Sequence, residues 1–418
     1  MKVFKFGGAS ITNAERVKNL ASVIQSSGEK NLVVVISAMG KMTNALEDVV
    51  HAYFEDRTQF RDSQDDVIQY HLEIMQDLFP NDSHPVFKIV RDLFQDMTHF
   101  LVTNKSTSHA FVYDQIVSYG EFISTHIVSA YLHSENINNT WLDVRQCIAT
   151  NDYYRNARVD WEATQRHISE KVKTKGITIT QGFLGAEHSN NFTTTLGREG
   201  SDYTAAIFAY CLNAESVTIW KDVPGVLNAD PRHFSKTQLL HHISYREAIE
   251  LAFYGATVIH PKTLQPLQRK EIPLYVRSFH NPTEKGTCVG KGVTLDPMTS
   301  CFILKKDQIL ISLSSLDFSF MMEDNIRDVF NLLHRYKMKV ELIQNSAISF
   351  SVCLDDKYNN LQSLLNKLRS TFKVSCYEGV TLYTVRHSQP NEINALVGNK
   401  KVLLKQESSE TVQLVVQE

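Results

Sequence analysis

The chain has 418 residues, enough for two or three domains and a sizeable core. Its 43% hydrophobic and 21% charged residues are the composition of an ordinary globular protein. A formal net charge of -3 argues against nucleic acid or an anionic membrane as partner, and six scattered cysteines without a CxxC pair argue against a disulfide framework or a zinc site. The longest apolar run, Leu32 to Met39, has strand length and is too short to span a bilayer. The opening MKVFKFGG reads as a strand followed by glycines, not as a signal peptide, so a cytoplasmic location is expected.

Lys2–Phe6 reads as the first strand and delivers Lys5 beside Gly7-Gly8-Ala9-Ser10. A helix follows from about Ala14 to Ser26, with Val17, Leu20, Ala21 and Ile24 on one face. Leu32–Ile36 is a run of branched residues suited to a strand buried on both faces. This β-α-β order predicts a parallel sheet, and Gly7-Gly8 stand at a strand's carboxyl end, where open α/β sheets bind ligands. The glycines fit neither GxxxxGK[ST] nor GxGxxG, but they still let backbone N–H groups approach a phosphate, within reach of Lys5. Ser37 and Thr43 are hydroxyls at the end of the second strand and the start of the next helix. Residues 45–133 read as a helical insertion, with Glu121 near the start of its third helix, where an early acid favours the helix dipole.

Trp141–Val144 and Ile177–Thr180 read as strands, with a helix over Asp160–Lys173 between them. Thr193–Leu196 reads as a short strand, Gly197 and Gly200 as a tight turn, and Ser201 as the N-cap of an apolar helix. Such a helix N-terminus suits an anion, and this one gathers Arg198, Ser201 and Asp202. Arg198 can grip a carboxylate or phosphate bidentately; Asp202 can hold an ammonium group or a magnesium ion. Ser216–Trp220 is the next buried strand, and Lys221 to Arg232, with two prolines and a glycine, is a structured loop. Leu274–Val276 reads as the last core strand and Glu284–Gly292 as the exit from the domain. From about Ser300 the order β-α-β-β-α-β is ferredoxin-like, followed by an incomplete second copy with strands Val380–Arg386, Val402–Lys405 and Val412–Val416.

The stretches KFGGAS, SAMGKMTN, SYGE, QGF, TLGREGSDYTAA, WKDVPGVLNADPR and GATVIHP, in this order, resemble aspartate kinases of the amino acid kinase superfamily, in the single-function form with C-terminal ACT domains. The resemblance implies an αβα sandwich around a mainly parallel sheet over 1–295, an ACT domain with a flanking strand over 300–378, and a shortened second one over 379–418. It implies ATP-dependent phosphorylation of the L-aspartate β-carboxylate, magnesium carried by the ATP phosphates with Asp202 nearby, and a homodimer formed through the ACT domains. By the same resemblance Lys5, Gly8 and Asp202 would be catalytic. Ser37, Thr43, Glu121, Arg198, Gly200 and Ser201 would hold aspartate. Lys5, Gly7, Gly8, Ser10, Lys221, Asp222, Leu227, Arg232 and Thr257 would lie along ATP.

The sequence also departs from the family pattern. Thr257 stands where many members have lysine, Leu227 where an aromatic is common, and Glu199 where glycine or asparagine is usual. The turn Met321–Asn325 lacks the glycine against which effector amino acids bind, so weak or altered feedback by lysine or threonine is expected. Two alternatives stand beside the kinase reading: another amino acid kinase, and a catalytically weakened ACT-based sensor.

Overall fold

A computed structural model describes residues 1–56, 60–256, 259–317 and 319–417. Two compact units emerge: residues 1–226, 239–249 and 258–297 form one, and residues 227–238, 250–257 and 298–418 the other. The first unit is built on an eight-stranded sheet. At its centre Lys2–Phe6 runs parallel to Asn31–Ile36 on one side and Ser216–Lys221 on the other, with Lys5 opposite Val35 and Ile219. Strand alternation then sorts the side chains. Phe4, Phe6 and Trp220 turn to one face, where the Phe6 and Trp220 rings stack 6.2 Å apart. Lys5 and Lys221 turn to the other, the side taken by the helix Gly200–Leu212.

Thr287–Gly290 corrects the sequence reading of an exit segment. It is a strand of this same sheet, antiparallel to Leu274–Ser278 and parallel to His242–Ser244. Its short Thr-Cys-Val-Gly run carries little apolar signal, so pairing and not composition defines it. The expected strand at Trp141–Val144 lies earlier, at Asn139–Leu142; Asp143 instead caps a short turn by accepting the Arg145 N–H.

The helical insertion comprises Met42–Glu55, Phe60–Leu78, Pro85–Thr103 and His109–Ser134. The last is 26 residues long and buried along most of its length. Glu121 therefore sits mid-helix, not near a helix start, and the dipole explanation of that acid falls away. Ser108 is the actual cap, accepting the Phe111 N–H. Gly120 lets this helix lie close: a Cβ there would stand 2.9 Å from Ala38 Cβ and 3.1 Å from Leu46 Cδ1.

The second unit carries a six-stranded antiparallel sheet in the order 339–345, 349–355, 301–314, 373–386, 411–417, 401–407. Two strands are long and serve twice. Residues 309–314 and 373–377 complete the first β-α-β-β-α-β set, whose helices Glu323–Arg335 and Leu361–Arg369 cover one face. Residues 381–386 open the second set, and its fourth strand comes from 301–305, ahead of the first set in the chain.

Candidate active site

A cavity of about 470 Å³ opens in the first unit where the strand ends meet the helix Gly200–Leu212. Lys5 and Asp202 face each other across it, Nζ to Oδ1 at 2.7 Å, with Lys221 Nζ 3.6 Å from Oδ2. Asp202 is buried; desolvation pushes its carboxyl up, and the two lysine charges outweigh that and hold it below the usual carboxylate range. One buried anion between two cations leaves a net positive end to the cavity, a fit for a polyphosphate.

The helix begins two residues earlier than the sequence suggested. Glu199, at φ 53°, is the boundary residue, and Ser201 lies in the first turn instead of capping it. Close packing accounts for the difference. A Cβ on Gly200 would stand 2.6 Å from the Phe183 ring, and one on Gly182 would stand 2.5 Å from Ser201 Oγ. The chain at 182–183 is thus pressed onto the start of the helix, and Ser201 faces the cavity. Gly8 is equally constrained: a Cβ would meet the Gly40 and Ala38 carbonyls at 2.5 and 2.8 Å. The Gly40 N–H donates to Gly8 O at 3.1 Å, tying the first glycine turn to the segment after the second strand.

At the other side of the cavity Glu121 is 2% exposed. One of its oxygens accepts the Ala38 N–H at 3.3 Å, and the other has no hydrogen-bond partner. Burial pushes its carboxyl up to about 8. A buried, half-satisfied carboxylate is costly unless a ligand answers it, and an ammonium group is the complementary charge. Ser37, Thr43 and Arg198 also line the cavity.

The structure thus brings together Lys5, Ser37, Thr43, Glu121, Arg198, Gly200, Ser201, Asp202 and Lys221. Gly7 lies beside Lys5, where a Cβ would stand 3.2 Å from Nζ. Ser10 is buried outside the cavity lining, its hydroxyl donating to Trp220 O at 3.4 Å. Asp222 is exposed just past the strand. Leu227 and Arg232 belong to the second unit, where Arg232 is exposed and forks onto Asp230 at 2.6 Å. Thr257 lies outside the described residues. Among the described residues no cluster of three or more His, Cys, Asp or Glu could hold a metal by itself. Asp202 is the carboxylate adjoining the cationic end, and a metal bound mainly to phosphate oxygens fits that donor set.

Sequence reasoning left four lining residues out of the site, Tyr113, Arg155, Phe183 and Gly197, and treated Glu199 only as a departure from the family pattern. One Glu199 carboxylate oxygen is buried without a hydrogen-bond partner. Phe183, at φ 71°, follows Gly182 in the QGF stretch, a usable signal. Tyr113 lies two turns ahead of Glu121 on the same helix. Arg155 sits in a loop whose sequence carries no periodicity.

Residues 1–278 match the model of the amino acid kinase family. The chain is 33% identical over 350 residues to lysine-sensitive aspartokinase 3 of Escherichia coli K12, covering 82% of this chain and 76% of that protein. It is 31% identical to the chloroplastic aspartokinase 1 of Arabidopsis thaliana, of which it spans 56%. Among solved structures, E. coli aspartokinase III in complex with lysine and aspartate superposes with a TM-score of 0.84 at 30% identity, covering 100% of this chain and 96% of the other. The same enzyme in complex with aspartate and ADP gives a TM-score of 0.82. Likeness of that extent, through both the kinase region and the tail, makes this chain a member of the amino acid kinase family and, within it, of the aspartokinases.

Proposed function

We propose that this chain transfers the γ-phosphoryl group of ATP to the β-carboxylate of L-aspartate, giving ADP and 4-phospho-L-aspartate, a first step towards lysine, threonine, methionine and isoleucine. The observation that carries this reading is the cavity with a Lys5–Asp202–Lys221 cationic end and an unanswered buried carboxylate, Glu121, opposite. A nucleophilic carboxylate is already ionised near neutral pH, so the reaction needs no general base. The barrier lies in bringing two anions together in line, and positioning plus charge neutralisation lower it. Lys5 neutralises the transferred group, while Asp202 holds Lys5 and Lys221 in register. The N–H groups at Gly7, Gly8 and the start of the helix Gly200–Leu212 supply further donors. Arg198 takes the α-carboxylate, Glu121 the α-ammonium, and Ser37, Thr43 and Ser201 the remaining polar edges. Gly8 and Asp222 complete the ATP side within the first unit. Magnesium, held by the ATP phosphates beside Asp202, would add charge neutralisation.

The tail is read as two ACT domains, 300–378 and a shortened 379–418, that pair two copies of the chain in the cytoplasm. Support for pairing is the exposure of Phe320, Met322 and Ile348, on two segments joined by the Met321 N–H donating to Ala347 O at 2.9 Å. An amino acid effector is expected there, with altered sensitivity: the Met322 N–H at the glycine-less turn is already taken by Asn325 Oδ1 at 3.0 Å.

Hydroxylamine trapping with magnesium-ATP tests the activity. Aspartate-dependent hydroxamate with none from glutamate is expected; lysine and threonine added separately report on the tail. No hydroxamate, with ATP or an amino acid still binding by calorimetry, would favour a sensor instead.

A further inference from the structure

Arg155 brings to the cavity a cation that none of the family-like motifs contains. Its backbone is in the left-handed region, φ 67°, where a long side chain is disfavoured. The molecule nevertheless fixes it there by several routes. Both oxygens of the fully buried Asp114 accept the Arg155 N–H, at 3.0 and 3.1 Å, and the same carboxylate accepts the Thr195 N–H and hydroxyl, each at 2.8 Å. Ala157 N–H donates to Thr195 O at 2.9 Å, and Lys262 Nζ donates to Asn156 Oδ1 at 2.6 Å. The loop is thus stitched to the strand that leads into Gly197-Arg198.

The side chain, by contrast, is held lightly. The guanidinium lies 4.0 Å over the Tyr113 ring and meets Glu47 at 2.9 Å, in an ion pair 43% and 32% exposed. Such a pair contributes little and is easily exchanged. Glu47 lies one helical turn beyond Thr43, on the same face. A strained, rigid backbone carrying a loosely parked guanidinium at a cavity is the arrangement of a ligand contact, where strain is retained for a reason.

We propose that Arg155 is a second guanidinium for the amino acid substrate, exchanging Glu47 for the α-carboxylate and sharing it with Arg198. The inference rests on the aspartate-phosphorylating reading above. The β-carboxylate is excluded as its target on chemical grounds: it must keep its electron pair for attack, and a further guanidinium there would blunt it.

Arg155→Gly and Arg155→Gln test this, with Arg155→Lys beside them. Losing a charge-assisted contact made in both ground and transition states is expected to raise the KM for aspartate about 10- to 100-fold, with kcat and the KM for ATP nearly unchanged. Arg155→Lys is expected to fall between. Arg155→Gly separates binding from folding, because glycine accepts the +67° φ and the melting temperature is expected to hold. A merely structural arginine would give the reverse: a lower melting temperature with the aspartate KM within about twofold of wild type. That result, or a rise in the KM for ATP alone, would overturn the assignment while leaving the kinase reading intact. Wild-type protein that neither phosphorylates nor binds aspartate would overturn both.

Discussion

Lys5 owes its place to strand alternation, which turns it from the aromatic face towards Asp202. Removing one preorganised donor of this kind costs on the order of 3 kcal/mol in the transition state, so Lys5→Ala is expected to lower kcat by about 10²-fold. A drop smaller than about tenfold would take Lys5 out of the mechanism. Glu121 makes a second demand, through pH. Its carboxyl rises from 4.5 to about 8 on folding, so between those values the folded chain keeps a proton that the unfolded chain has released. The contribution of this group to stability therefore falls as pH rises through that window. Glu121→Gln is expected to flatten that slope in urea titrations from pH 5 to 8 and to raise the KM for aspartate. If the α-ammonium meets this carboxylate, aspartate binding at neutral pH expels a proton, seen as buffer-dependent heat in calorimetry. At this scale the motifs carried most of the site: the glycine pairs, Arg198, Ser201 and Asp202 all stand in one short pattern each. Arg155 was invisible because its place is set by Asp114, distant in sequence and contributed by another element.

Elements dictate the site through close approach. The glycine turn after the first strand works because nothing stands between Gly8 and the carbonyls of Ala38 and Gly40. Gly8→Ala is expected to push the two segments apart and reduce kcat/KM for ATP, while the ferredoxin-like sheet of the second unit keeps its hydrogen-exchange protection. Protected exchange and full activity together would refute the constraint. The helical insertion has its own titration. His71 is buried with Nδ1 2.7 Å from Val67 O, and burial lowers it from 6.5 to about 4; His126, stacked on Trp141, is lowered likewise. Between those values the unfolded chain binds more protons than the folded one, so stability is lost as pH falls from 6.5 towards 4. His71→Phe is expected to keep a higher melting temperature than wild type at pH 5, relative to their difference at pH 8. Helix and strand positions were largely legible because the apolar periods are strong: Ala14–Ser27, Asn31–Ile36 and Ser216–Lys221 lie within a residue or so of expectation. The exceptions were decided by tertiary packing. Gly182 drew the start of one helix forward, and a weak four-residue segment became a strand only through its neighbours.

At the scale of the whole molecule, pairing of two copies through the tail predicts that Phe320→Asp with Met322→Asp, at 67% and 55% exposure, yields monomers in sedimentation velocity. An unchanged sedimentation coefficient would move the interface elsewhere. The resemblance carried by the motifs conveyed the kinase architecture, and periodicity conveyed the tail's β-α-β-β-α-β order. What neither conveyed was that 301–314 and 373–386 are each one strand shared by two sets, because sharing is a matter of register and not of residue type. That sharing has a consequence for the order in which the chain can assemble. Apart from a bridge between Phe302 and Ala229, Cys301–Lys305 finds its ladder partner at Leu382–Arg386, which is in turn flanked by Thr411–Val416. During synthesis the first ferredoxin-like set can close as soon as 373–377 emerges, but the strand that begins the tail lacks its ladder partner until 382–386 has followed. A chain cut near residue 378 would therefore present a folded module with an open β edge, a form prone to stick to its neighbours.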